Sequence, residues 1–187
     1  MPPMSPLFLH HFTSPIGTIL LVTDVSGQLR ALDFLDYRER MDRLLARHYG
    51  PVSLTEAPTP APLAQALGDY FAGDLTALER VAVATNGTDF QKSVWHCLRA
   101  IPAGQTVTYG ELARRLGQPT AMRAVGLANG ANPIGIVVPC HRVVGANGTL
   151  TGYAGGLERK RWLLAHESAA GLPLLEQIAE KRHRFGA

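Results

Sequence analysis

The chain has 187 residues, 46% hydrophobic and 18% charged, with a formal net charge of +3, which describes an ordinary soluble globular protein with one sizeable domain or two small ones. Its two cysteines form no C-x-x-C pair, which excludes a disulfide framework and gives no sign of zinc or a redox pair. The first residues lack a basic n-region and a long apolar h-region, and no stretch approaches the ~18 apolar residues that span a bilayer, so neither a signal peptide nor a membrane segment is expected and the setting is a reducing cytoplasm.

The β-rich runs Thr18–Thr23 and Leu29–Phe34, with turn signals at Pro15–Gly17 and Ser26–Gly27, predict strands of an antiparallel meander. "YRERMDRLLARHYG" predicts a helix ended by Gly50, "PVSLTEAPTPAP" a Pro-rich connector, and "PLAQALGDYFAG" a second helix ended by Gly73. "VAVATNGTD" offers one more strand, and Asn86-Gly87 marks a boundary between domains 1–87 and 88–187. Charge divides there as well. Residues 1–87 carry six arginines and no lysine against nine acidic residues, a net of −3; residues 88–187 carry twelve basic against six acidic, a net of +6. A basic domain of this kind favours a nucleic-acid partner, whose condensed counterions it displaces.

In "DFQKSVWHCLRAIPAG" the residues Phe90, Val94, Cys97, Leu98 and Ile101 recur on one face of a helix. Asp89 stands at the N-cap and Pro102 and Gly104 at the stop, which makes Cys97 a buried core residue. A helix over about 109–116, ended by Gly117, and another over about 120–129 follow. Two short helices on a glycine turn form either a helix-turn-helix or a plain αα-hairpin. The second is nearly all small residues with one long cation, Arg123, which suits close approach to a nucleic-acid groove.

"IVVPCHRVVG" then places Cys140 between a proline and a histidine. Pro139 restricts Val138 to extended backbone, so "IGIVV" reads as a buried extended segment that delivers Cys140 to a fixed place. Core filler, metal ligand and nucleophile are all open to such a thiol, but a nucleophile needs a base or cation to hold the thiolate and a third group to orient the base. His141 and Arg142 are adjacent, and a second His-Glu pair lies at His166–Glu167. Glu167 near the end of a helix opposes the macrodipole, which marks either a functional carboxylate or one solvated past the helix end. In "GANGTLTGYAGG", Gly152, Gly155 and Gly156 flank Tyr153, as either a pocket wall or a plain surface loop.

Taken together, Pro139-Cys140-His141-Arg142-Val143, "TYGELA", "RAVG", "NP" and "GYAGG…KRWLLAHE" resemble the methylated-DNA–protein-cysteine methyltransferases, the O6-alkylguanine-DNA alkyltransferases of direct repair, strongly over about 88–168 and in outline before it. The resemblance implies an α+β chain: an N-terminal ribonuclease-H-like antiparallel sheet with helices, then a mostly helical winged-helix-like domain that carries the helix-turn-helix. It implies Cys140 as the alkyl acceptor, Glu167 and His141 as a relay that draws off the thiol proton through a water, and Tyr109 as a donor toward the leaving base. Asn132 braces the turn before the active-site segment. Arg123 is the finger that replaces the flipped nucleotide, and Thr120, Ala121, Ala124, Gly126 and Tyr109 meet DNA. Val143, Tyr153, Ala154, Gly155 and Trp95 line the base pocket.

The implied partner is double-stranded DNA containing O6-alkylguanine, and the chain is expected to act as a monomer with no cofactor. Some members hold zinc in the N-terminal domain through cysteines; residues 1–87 have none, so no zinc is expected. Ala154 replaces a serine of some relatives, and Gly135 a proline, which points to a roomier pocket. The tail "EQIAEKRHRFGA" reads as a basic, partly helical terminus. Two other functions fit parts of the pattern. A Cys-His hydrolase would need an oxyanion hole and would turn over, and a non-catalytic DNA-binding lesion sensor would not need Cys140.

Overall fold

Leucine and β-branched runs broken by turn glycines make the first strands. In the computed structural model, which describes residues 6–168, these are β1 (Leu7–Ser14), β2 (Gly17–Thr23) and β3 (Leu29–Phe34). Ser14 pairs with Gly17 across a tight hairpin, where Gly17 takes φ 113°, a conformation open to glycine alone at little cost. The β2–β3 turn is organised by Asp24, whose Oδ1 accepts from Ser26 N (2.9 Å) and Gln28 N (3.1 Å) while Arg30 Nε donates to Oδ2 (2.8 Å). Helix α1 (Arg38–Tyr49) is closed by Gly50, and its Met41 and Leu45 pack with Leu7, Leu9, Leu20, Val22 and Ala31. Helix α2 (Ala61–Ala72) ends at left-handed Gly73.

The sheet order is β3-β2-β1 followed by a short fourth strand, β4 (Leu54–Glu56), and here the chain departs from the expected meander. The Pro-rich connector contains β4, which pairs parallel to β1. "VAVATNGTD" contributes a single bridge, Val83 to Leu29, rather than a strand.

Two compact units emerge: residues up to Thr88 together with Pro133–Val137, and Asp89–Asn132 together with the chain from Val138. Residues 133–137, expected in the second domain, thus belong to the first unit. There Leu32 N donates to Pro133 O (2.9 Å) and Gly135 N to Leu32 O (3.1 Å).

The second unit is mainly helical: α3 (Asp89–Arg99), α4 (Tyr109–Arg115), α5 (Met122–Gly130) and α6 (Leu157–Ser168), with a two-stranded parallel ladder of β5 (Val107–Thr108) and β6 (Val143–Val144). Asp89 is the first residue of α3. The buried stripe of α3 runs through Val94, Trp95 and Leu98, so Cys97 is half-buried rather than core. The indole decides this rotation: Trp95 Nε1 finds a buried acceptor in Ala128 O at 2.9 Å, which lets the largest side chain take the inner position. Thr108 caps α4 by accepting from Glu111 N (3.1 Å). Gly117 at φ 70° and the Gln118 N to Ala113 O bond (2.9 Å) close its other end. Helix α5 starts at Met122, so Thr120 and Ala121 lie in the turn and at the N-cap, ahead of the helix predicted to contain them. The tail 169–187 lies outside the described residues.

Candidate active site

Cys140 opens a short 3-10 turn, Cys140–Arg142, that feeds straight into β6. The approach is not the extended segment expected. Ile136 takes φ 66°, rare for a β-branched residue, with Val137 N donating to Gly135 O (2.7 Å). Pro139 at φ −81°, ψ 65° forms an inverse γ-turn, closed by Cys140 N to Val138 O at 2.8 Å. Proline removes one donor and forbids helix before it, so the chain reverses by γ-turns. Asn132, 1% exposed, donates its Nδ2 to the same Val138 carbonyl (2.7 Å) and fixes the last turn.

Behind Cys140 lies a fully buried polar chain. His141 is 0% and Glu167 2% exposed. His141 donates Nε2–H to Glu167 Oε1 at 2.8 Å, since a carboxylate only accepts. That bond sets the tautomer and leaves Nδ1 with a lone pair; Nδ1 is buried and has no hydrogen-bond partner among the described residues. Arg142 grips the same carboxylate with a fork, Nε to Oε2 and NH2 to Oε1, each 2.9 Å, and donates NH1 to Ile101 O. Burial opposes ionisation of Glu167, but His141 and Arg142 outweigh it and hold the carboxyl well below the usual carboxylate range. Burial in turn lowers the His141 imidazole despite the nearby carboxylate, so the ring stays neutral and basic at Nδ1.

Lys160 was not foreseen in this region. It is fully buried on α6 and donates Nζ to Val143 O and Thr151 O, both at 2.7 Å, tying β6 to the loop that carries Tyr153. Burial brings it down to about 8, partly offset by the charge of a Cys140 thiolate.

The cavity in front of Cys140 measures about 250 Å³ and is walled by Tyr109, Gly126, Asn129, Gly130 and the stretch Gly152–Ala154. Tyr109 and Gly126 are close neighbours: a Cβ on Gly126 would stand 3.9 Å from the phenol ring. Of the residues expected around the base, Tyr153 and Ala154 wall this cavity, whereas Val143, Gly155 and Trp95 do not; Tyr109 and Gly126, expected to meet DNA, wall it as well. Val143 is buried in the ladder with Val107, and Trp95 in the α3–α5 contact. The Gly155 carbonyl accepts from Arg159 NH1 (3.1 Å). Gly135, expected to enlarge the pocket, pairs with Leu32 in the first unit and is not a wall either. Asn129 and Gly130 were missed; only their place one turn beyond Gly126 on a small-residue helix hinted at them. His166 does not join Glu167 but stacks on Trp162, with centroids 4.9 Å apart.

On α5, Arg123 and Ala124 are exposed, with Met122 (53%) and Leu127 (71%) beside them as unforeseen apolar surface. Among the described residues no group of three or more His, Cys, Asp or Glu is arranged to hold a metal ion, and no helix is long and apolar enough to cross a membrane.

In this mixed α+β chain a buried thiol faces a small cavity, next in sequence to a buried histidine that is bonded to an arginine-held glutamate. Residues 7–85 match the ribonuclease-like domain, and 89–169 the DNA binding domain, of 6-O-methylguanine DNA methyltransferase. The chain belongs to the 6-O-methylguanine DNA methyltransferase family. It is 54% identical over 156 residues to the methylated-DNA–protein-cysteine methyltransferase of Salmonella typhimurium, covering 82% of this chain and 91% of that protein. Its fold is similar to that of Mycobacterium tuberculosis OGT in complex with DNA, with TM-score 0.76, 42% identity, and coverage of 90% and 97% of the two chains. It is also similar to the O6-methylguanine-DNA methyltransferase of the archaeon Pyrococcus kodakaraensis, with TM-score 0.68, 28% identity, and coverage of 86% and 98%.

Proposed function

We propose that this protein repairs O6-alkylguanine in double-stranded DNA by transferring the alkyl group irreversibly to Cys140. The observation that carries this reading is the buried Cys140–His141–Glu167 arrangement opening on a cavity of about 250 Å³. An alkylated O6 carbon is out of reach inside the duplex, so the nucleotide rotates out, at a cost of a few kcal/mol in unstacking. Arg123, exposed on α5, fills the place it leaves, while Thr120, Ala121, Ala124 and Gly126 lie along the groove.

In the cavity the chemistry is a displacement. His141 Nδ1 takes the thiol proton through one water, and the resulting imidazolium is held by Glu167. The sulfur then forms a bond to the alkyl carbon as the carbon–O6 bond breaks. The departing guanine receives a proton from the Tyr109 hydroxyl, and Asn132 keeps the turn ahead of Cys140 in register. The thioether offers water no acyl carbon to attack, so each molecule acts once. The protein works as a monomer, without cofactor, in the cytoplasm.

The test is intact-protein mass after incubation with a slight excess of duplex carrying one O6-methylguanine, followed by peptide mapping. One methyl per chain on Cys140, at a stoichiometric plateau, is expected. Unmodified protein with unrepaired DNA would leave only a binder, and repaired DNA with unmodified protein would mean turnover by another mechanism.

A further inference from the structure

Met122 has no part in the steps above, yet it stands where the nucleotide must pass. It opens α5 next to Arg123, and more than half of its apolar side chain is left to water. Met122, Gly126, Asn129 and Gly130 share one face of the helix, and the last three wall the cavity before Cys140. Met122 therefore stands one turn ahead of that wall, outside the cavity and at its rim. There it meets the start of α4: a Cβ on Gly110, the neighbour of Tyr109, would stand 3.7 Å from the methionine sulfur. Alkyl transfer itself needs no apolar side chain at this place.

We infer that Met122 is a second wedge into the duplex: its thioether chain lies on the base pair that flanks the extruded nucleotide, beside the place that Arg123 fills. The inference rests on the repair reading of the cavity. The occupant of this apolar rim is duplex DNA, because α5 lies within the stretch that matches the DNA binding domain and in the half of the chain with a net charge of +6. Proteins that open a duplex commonly push apolar side chains, methionine among them, between base steps and unstack them. One guanidinium can take the place of one base, but the pair next to the gap has still lost a stacking partner. An unbranched thioether with three rotatable bonds and a polarisable sulfur fits such a face whatever its sequence. Met122 thus offsets part of the unstacking cost that extrusion imposes, and acts before the chemistry rather than in it.

The measurement is the single-turnover rate of alkyl transfer to Cys140 from O6-methylguanine in a duplex, from the same lesion in a single strand, and from the free base O6-benzylguanine. It is made with the wild-type protein, Met122→Ala and Met122→Leu. In Met122→Ala, duplex repair is expected to slow about fivefold or more, while the other two substrates stay within about twofold. The deficit shrinks when the lesion sits beside a TA step, which unstacks readily. Met122→Leu keeps an apolar chain of similar size and repairs duplex within about twofold of the wild type. Duplex repair at the wild-type rate in Met122→Ala would overturn the inference, and so would a Met122→Leu no faster than Met122→Ala. Equal slowing on all three substrates would also overturn it, since Met122 would then only prop Tyr109 and Gly110. A wild type that takes no alkyl group from any substrate would instead sink the repair reading, and this inference with it.

Discussion

His141 Nε2 and Glu167 Oε1 lie 2.8 Å apart across 26 positions of sequence, and neither side chain reaches solvent. The carboxylate is shared: one oxygen takes both the histidine and an arginine nitrogen, the other the arginine alone. Glu167 therefore does two jobs, setting the imidazole tautomer and neutralising Arg142.

Glu167→Gln separates these jobs from mere packing. The amide keeps the shape but loses the charge, so methyl transfer should slow by about 10²-fold or more, the usual worth of an oriented general base. Stability should fall by about 3–5 kcal/mol, because Arg142 is left buried without its counter-charge. Rapid-quench kinetics and urea midpoints check the two numbers. A variant of native stability and normal rate would remove Glu167 from the relay.

Acid should weaken the fold in two stages. Burial lowers the His141 imidazole in the native protein, so the unfolded chain binds more protons as pH drops through about 6.5, and stability falls. Glu167, held low by His141 and Arg142 against the effect of burial, adds a second loss below about pH 4.3, where the unfolded carboxyl protonates first. Lys160 acts at the other end: at about 8 it sheds its proton before the unfolded chain does, so stability rises between about pH 8 and 10.4. Urea midpoints from about pH 2.5 to 10.5 should show all three trends, and His141→Gln should shrink the first. An unchanged first stage in that variant would contradict the assignment.

Asn132→Ala should cost about 1–3 kcal/mol, since it removes one of two bonds to the buried Val138 carbonyl and leaves the turn before Cys140 loose. Transfer should slow without loss of DNA affinity. Equal losses in binding and transfer would argue that Asn132 acts elsewhere.

Arg123→Ala should leave stability within about 0.5 kcal/mol, because the side chain is exposed. Repair of duplex should slow, while transfer from the free base O6-benzylguanine, which needs no flipping, should not. Equal slowing on both substrates would deny Arg123 a role in extrusion.

Much of the site was legible because its chemistry is local: Cys140, His141 and Arg142 are consecutive, and glycines at 50, 73 and 117 announce helix ends. What stayed hidden depends on partners far along the chain. Lys160 stands in "LERKRW", a run that reads as solvated, and only the carbonyls of Val143 and Thr151 make its burial tolerable. Arg142 looked like a cation for the thiolate until Glu167 and Ile101 took three of its five donors. The α3 stripe was read correctly at Val94, Leu98 and Ile101 but put Cys97 inside in place of Trp95, because periodicity cannot know that Trp95 has an acceptor waiting in α5. No pattern predicts an isoleucine at φ 66°.

The five residues at 133–137 also bear on how the molecule is made. Leu32 collects its bonds to Pro133 and Gly135 only after some 45 residues past Thr88 have been synthesised, roughly 2–9 s of translation. Until then β3 is covered on that edge only at Leu29, by the segment around Val83, and its Leu32 end stays unpaired, open to chaperones or to a neighbouring ribosome's product. A gene truncated after residue 88 would encode that waiting state permanently.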